Sequence, residues 1–478
     1  MSQQITRRAL LGGAVAAAAG GVLQANAEHA EPGTHSVPPR HSEFVLRGGY
    51  VLSVDPTIGD LSTGDVHVRN GVIVAVGPNL QAGGSAEIDA KDMIVMPGLV
   101  DTHWHLWNSA MRPFILDGDD QRGYFNVTNV LGPYFTPADT YRATRLGLVE
   151  GVASGITTVH DWSHNVRSRD FADASIRALL DAGVRGRFSY GYAQGGALDV
   201  PMDVAGIAAV QQHWFSKASA TRGLLHLGVA SRNIVPGQSP RGSISIELAH
   251  QDWDAARELG LPITLHASPV GLVSLLHTEG LLGPDVQLVH PTQTTGVENE
   301  IAADQGVAWS TAPLGETGRE PAEQTRYFEL EQSGARLGIS VDSSAVDSAD
   351  LFNAMRVLYK TTVHRLGSGI GLTQRRMVEL ATIEGARSLG LGDVVGSLTP
   401  GKRADIVLVN RLSPNLAPPG DPVTQLVSLA QPSNVDSVIV DGRFLLWHGS
   451  HVGVEVSHVL REAGTSAAQV AARAGWPT

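Results

Sequence analysis

Pro97-Gly98-Leu99-Val100-Asp101-Thr102-His103-Trp104-His105 is the stretch that decides how this chain reads. It enters as an apolar strand and ends in two histidines. Residues two apart on a strand project to the same side, so His103 and His105 can reach one point while Trp104 turns the other way into packing. An isolated His-x-His is usually a chance surface pair, but an apolar approach of this kind makes a poor surface segment. We read the two as ligands of one metal ion.

Beyond this stretch, apolar strands alternate with helical stretches from residue 96 to residue 392. Gly155-Ile156-Thr157-Thr158-Val159 precedes a helix expected over Asp170 to Ala182, and Leu225-His226-Leu227-Gly228-Val229 precedes one over Ile246 to Leu259. Further strands end at His266, His290 and Asp342. Such alternation predicts an α/β fold with a parallel sheet closed as a (β/α)8 barrel of the TIM type. A doubly wound open sheet is the weaker choice, because no G-x-G-x-x-G opens a helix early in the chain. In a barrel all C-terminal strand ends open on one face, so His103, His105, His160, Asp161, His266, His290 and Asp342 are brought to the same mouth.

On the other side of the motif, residues 43–95 hold short Val- and Ile-rich strands separated by Gly and Asn-Gly turns, with no room for a helix. A similar run returns over 393–450. The two ends are expected to pair into one small β-sandwich domain, followed by a helical tail over 451–478. Residues 1–27 read as an export signal. Arg7-Arg8 precede an apolar Ala/Gly-rich run, and Ala25-Asn26-Ala27 supplies a cleavage pattern. The paired arginines resemble the twin-arginine signal, which implies the twin-arginine export machinery as a partner and a periplasmic or extracellular location. A membrane anchor is the bland alternative, but the run is shorter than the ~20 residues a span needs. Residues 28–42 carry no periodicity and read as a linker.

The 478 residues include no cysteine, which excludes disulfides, thiolate metal sites and a cysteine nucleophile. Any transition-metal site must be built from His, Asp or Glu. The formal net charge of −12 argues against a nucleic-acid surface. No G-x-S-x-G appears, which speaks against a serine hydrolase.

The opening motif resembles the first-strand signature of the amidohydrolase superfamily. Gly396-Ser397-Leu398-Thr399-Pro400-Gly401-Lys402-Arg403-Ala404-Asp405-Ile406-Val407 resembles the segment by which such chains re-enter their small β-domain. The resemblance spans about residues 43 to 450. It is closest to the branch that acts on cytosine, adenosine-type, triazine or guanine rings. It implies His266 at the end of the fifth strand as a third imidazole ligand, and Asp342 after the eighth as ligand and proton carrier. It implies His290 after the sixth as a catalytic residue rather than a ligand. The region of the fourth strand, Leu225 to Ser231, has no lysine to bridge two metals, so one divalent ion is expected, zinc first and iron or manganese after it. One departure stands out. The branch carries a proton-shuttling Glu three residues after the fifth-strand His, and here that position is Pro269.

The chemistry expected is metal-assisted hydrolysis of a carbon–nitrogen bond in a cyclic amide, imide or heterocycle. Asp342 serves as base and His290 as donor to the oxyanion. Deamination of a nucleobase- or triazine-like ring is the alternative, and an exported binding protein without catalysis is the second. Trp107, His160, Asp161 and His164 are expected near a small-molecule substrate. Trp104 and Trp162 could add an aromatic wall, and Glu316 and Arg319 are weaker candidates. A homo-oligomer is compatible with the resemblance.

Overall fold

The computed structural model describes residues 42–477, apart from 117, 120, 237–242 and 318–325. The expected signal over 1–27, nearly all of the linker, and Arg319 lie outside the described residues. Five strands open the chain: β1 (Glu43–Leu52), β2 (Asp60–Arg69), β3 (Val72–Gly77), β4 (Ala86–Asp89) and β5 (Met93–Pro97). Eight follow: β6 (Leu99–Trp104), β7 (Ile156–Ser163), β8 (Arg185–Tyr190), β9 (Leu225–Ala230), β10 (Ile263–His266), β11 (Val286–Val289), β12 (Ala308–Thr311) and β13 (Arg336–Ile339). Four close it: β14 (Ile406–Asn410), β15 (Val435–Val440), β16 (Arg443–Trp447) and β17 (Ser450–His451), before a helix over Val456–Ala474.

Strands β6 to β13 lie in sequence order in one parallel eight-stranded sheet. The sheet closes between β6 and the residues after β13. The Asp342 amide donates to the His103 carbonyl at 2.9 Å, and the His105 amide donates to the Asp342 carbonyl at 2.7 Å. Asp101 splices the same seam. Its two carboxylate oxygens accept the amides of His103 at 3.0 Å and Val341 at 2.7 Å. The closure is thus made by the segments that carry His103, His105 and Asp342, which fixes those residues relative to one another.

The nine strands from the two chain ends form a second sheet, running β17-β16-β15-β14-β5-β1-β2-β3 with β4 on β1. Four strand spacings, about 19 Å in a flat sheet, separate β1 from β16. Yet the Phe44 and Phe444 rings lie 5.5 Å apart. The sheet therefore folds back on itself as a sandwich, with Phe44, Val66, Ile406, Ile439 and Phe444 in its core. Gly48-Gly49 is not a turn between two strands but a bulge inside β1, with Gly48 at φ +74°. The sandwich is anchored where the barrel begins. The Gly98 amide donates to the Asp405 carbonyl at 2.9 Å, and the buried Arg185 pairs with Asp405 at 2.7 Å and Asp441 at 3.2 Å. Gly98 is needed at that junction, since a Cβ there would sit 2.0 Å from the Thr157 hydroxyl.

Candidate metal centre and active site

The strand ends converge at the barrel mouth. His103 and His105 place their Nε2 atoms 3.2 Å apart. Asp342 Oδ1 lies 3.3 and 3.4 Å from those two nitrogens. The His266 ring is 5.1 Å from that of His103 and 5.3 Å from that of His105. His290 stacks on His266 at 5.6 Å and sets its Nε2 3.7 Å from Asp342 Oδ2. Ligand atoms of His103, His105 and His266 fall within 4.8 Å of one another, as do those of His103, His290 and Asp342.

Hydrogen bonding settles how two of these rings present themselves. The Trp162 carbonyl can only accept, so His105, 3.0 Å from it through Nδ1, carries its proton there and turns a lone pair at Nε2 to the centre. His103 Nδ1 is buried without a partner, so the ring engages only through Nε2. Burial pushes His103 well below the ordinary imidazole range, and the neighbouring His105, His266, His290 and His160 push it further. Burial lowers His105 too, against the pull of Asp342. Neutral imidazoles and a carboxylate oxygen aimed at one point are a donor set suited to a divalent ion. The residues present fit such a group.

Two of these residues sit in unusual backbone. His290 has φ 62° and Asp342 φ 67°, the left-handed region that side chains other than glycine rarely adopt. Each is the point where a strand ends and the chain turns out of the barrel. Strain of this kind persists only where the surroundings enforce it, and at Asp342 the two closing hydrogen bonds do so.

Behind His290 stands Glu316. The His290 Nδ1 donates to its Oε1 at 2.9 Å, the Ala312 amide donates to the same oxygen at 2.8 Å, and the Thr311 hydroxyl donates to Oε2 at 2.6 Å. Burial pushes this carboxyl up, but the bond and charge of His290 and the two other donors outweigh it and hold Glu316 below its usual range. It is a buried carboxylate orienting an imidazole. Sequence reading ranked it low; the only sequence signal was a lone acid five residues past β12.

The mouth opens into a cavity of about 900 Å³. Its walls include His105, His164, His266, His290 and Asp342, with Tyr124, Phe125, Asn129, Tyr192 and Gln194 on one side and Asn233, Ser268 and Pro269 on another. Tyr124 escaped the sequence reading. Its hydroxyl accepts from Asn108 Nδ2 at 2.9 Å, and burial together with Asp342 raises its pKa, so it stays a neutral hydrogen-bonding group.

Of the four residues expected at the substrate, only His164 lines this cavity. Trp107 is fully buried behind it, its indole N–H donating to His164 Nδ1 at 3.2 Å. His160 lies deeper in the barrel, tied through Nδ1 to the Thr102 carbonyl at 2.9 Å and through Nε2 to Ser189 at 2.7 Å. Burial and the nearby Arg187 push it down to about 3. Asp161 pairs across the sheet with Trp104 and so shares its outward face. Trp104 packs against Gly147 and Gly151 of the helix Pro137–Ala153. Both Asp161 oxygens are buried without partners, and burial raises the carboxyl to about 8. Trp162 is buried beneath the centre, 4.3 Å from the His266 ring.

Residues 290–445 match the model of the Amidohydrolase family. Along nearly the whole chain it resembles the 5'-deoxyadenosine deaminase of Methanosarcina mazei, with 26% identity over 90% of this chain and 99% of that one. It likewise resembles the 5-methylthioadenosine/S-adenosylhomocysteine deaminase of Halobacterium salinarum, at 28% over 90% and 98%. Among solved structures, an adenosine deaminase from Xanthomonas campestris with bound zinc shares the fold at TM-score 0.77 and 22% identity, covering 91% of this chain and 100% of that one. So does a zinc-complexed atrazine chlorohydrolase from Arthrobacter aurescens, at TM-score 0.75 and 22% identity over 89% of this chain and 100% of its own.

Proposed function

We propose that this chain is a member of the amidohydrolase superfamily and a zinc-dependent hydrolase of a carbon–nitrogen bond in a small cyclic amide, imide or heterocycle. One observation carries the reading: His103, His105, His266 and Asp342 meet at the floor of a large cavity with His290 beside them. Those four would hold the ion. When bound, it supplies Lewis acidity and a water ionised near pH ~7.

The chain's own groups do the rest. Asp342 engages the histidine pair through Oδ1 and turns Oδ2 toward His290. That oxygen takes the proton of the attacking water and returns it to the leaving nitrogen. In its doubly protonated form, whose positive charge Glu316 at Nδ1 stabilises, His290 donates from Nε2 to the developing oxyanion. Pro269 offers no proton to a ring nitrogen, which favours amide, lactam or imide carbon over an aminated ring. Deamination is a second reading, favoured by deaminase relatives that match almost end to end.

The test is a panel of cyclic amides, imides and aminated heterocycles, run on protein stripped of metal and reloaded with Zn²⁺, Fe²⁺ or Mn²⁺. Product formation should vanish on stripping and return on reloading. Full activity in the stripped protein refutes the proposal, and no product from any panel member favours a binding protein. We also propose export, supported by Arg7-Arg8 and the apolar run after them; Arg7→Lys with Arg8→Lys should retain the protein in the cytoplasmic fraction.

A further inference from the structure

The cavity wall holds a histidine whose protonation pattern is dictated from behind. An indole N–H can donate but never accept. Trp107 Nε1 lies 3.2 Å from His164 Nδ1, and this contact makes Nδ1 the accepting nitrogen and places the ring's proton on Nε2. Trp107 is completely buried and takes no part in the cavity wall, while His164 does. The His164 ring stands 4.2 Å from that of His105, edge to face, and 6.1 Å from Tyr192. It therefore flanks the metal centre on the His105 side, away from the His290 and Glu316 pair.

We infer that His164 is the specificity-determining hydrogen-bond donor of the site, locked as its Nε2–H tautomer by Trp107. Trp107 is a positioning residue. The substrate must then present an acceptor on the His105 side: a carbonyl oxygen or an unprotonated ring nitrogen. A substrate with N–H at that place meets a donor with a donor and is rejected. This inference rests on the hydrolase reading for the identity of the ligand, but the tautomer itself does not.

That separation shapes the experiment. In ¹⁵N-histidine spectra of the zinc-loaded protein, with His164 assigned by its loss in His164→Gln, the ring should be neutral and protonated on Nε2. The Trp162 carbonyl, which can only accept, also lies within reach of the ring and competes with the indole for its proton; the spectra decide which of the two prevails. A His164 protonated at Nδ1, or at both nitrogens, overturns the inference. In Trp107→Phe the same signal should move toward a mixture of tautomers; an unchanged signal shows that Trp107 does not set it and overturns the inference as well. On the panel member turned over best, His164→Ala should lower kcat/KM about tenfold to a hundredfold, with zinc content unchanged. His164→Gln, which keeps an N–H, should recover most of it. Equal losses in the two variants would make the residue a packing element and overturn its role as donor. Should no panel member react, the hydrolase reading fails, while the spectra still decide the tautomer.

Discussion

Replacing Glu316 tests the acid–imidazole pair by separating its charge from its shape. Glu316→Gln keeps the size and keeps an oxygen for the His290 Nδ1–H and the Ala312 amide, and the Thr311 hydroxyl can rotate to accept from the new NH₂. What disappears is the negative charge. A hydrogen bond to a charged group contributes about 1.5–3 kcal/mol and a neutral one about 0.5–1.5, so about 1–2 kcal/mol of support is lost. The loss is concentrated in the state where His290 is positive, so kcat should fall roughly 5- to 30-fold while unfolding free energy moves by less than about 1 kcal/mol. Glu316→Ala is different in kind. It strands three buried donors at about 1–3 kcal/mol each, partly relieved by rotation of the threonine, so stability should drop by about 3–5 kcal/mol. Steady-state rates on a turned-over panel member, elemental analysis and urea unfolding read the three quantities. Wild-type kcat in the Gln variant at full zinc content would refute the reasoning.

Asp342→Asn should leave the fold intact and cut kcat about 10²- to 10⁴-fold; a near-normal rate in the zinc-loaded variant removes Asp342 as proton carrier. Asp161 yields a pH effect. Its folded carboxyl is raised from 3.8 to about 8, so the unfolded chain releases this proton first, and the group's contribution to stability, complete below pH 4, is lost as pH rises toward 8. Asp161→Asn should therefore be more stable than wild type by a margin that grows from pH 5 to pH 8, on the order of 2 kcal/mol at the lower end and on the order of 5 kcal/mol at the upper; parallel urea-unfolding curves at both pH values would contradict the burial of an ionisable, unpartnered acid. Arg185→Leu leaves Asp405 buried without its cation and should cost about 3–5 kcal/mol, read as a lower Tm; an unchanged Tm would show that the network does not hold the sandwich to the barrel.

Much of the fold was legible because two periodicities alternate along the chain and the polar residues fall where strands stop. The strand from Val95 to His105 could hardly be anything else: apolar on approach, doubly histidine at its end, broken once by a glycine that a neighbouring threonine forbids from carrying a side chain. Gly48-Gly49 reads in sequence as readily as a turn as it does as the bulge it forms. Turn and bulge both call on a positive φ, and only the partner strand tells which is meant. β2 runs past both halves of β1, so the chain continues straight. β4 is hardly legible in the sequence, because four residues pairing on one side leave almost no pattern.

At the site, parity did the sorting that sequence reading had not applied. His160, Trp162 and His164 alternate with Asp161 along and just beyond β7, so the strand end that brought all of them to the barrel mouth sends Asp161 outward against the helices. Depth then divides the inward set: His160 is spent on Thr102 and Ser189 one layer down, Trp162 packs against His266, and only His164 reaches the cavity. Residue type and strand position thus identify a pool of candidates, while side of strand and layer in the barrel assign the work. The same logic explains Glu316. It acts from beyond the end of its strand, through a histidine on the neighbouring one, and no spacing within either segment announces that pairing; what could have announced it is His290 itself, since an imidazole asked to carry charge beside a metal site needs an acid behind its other nitrogen.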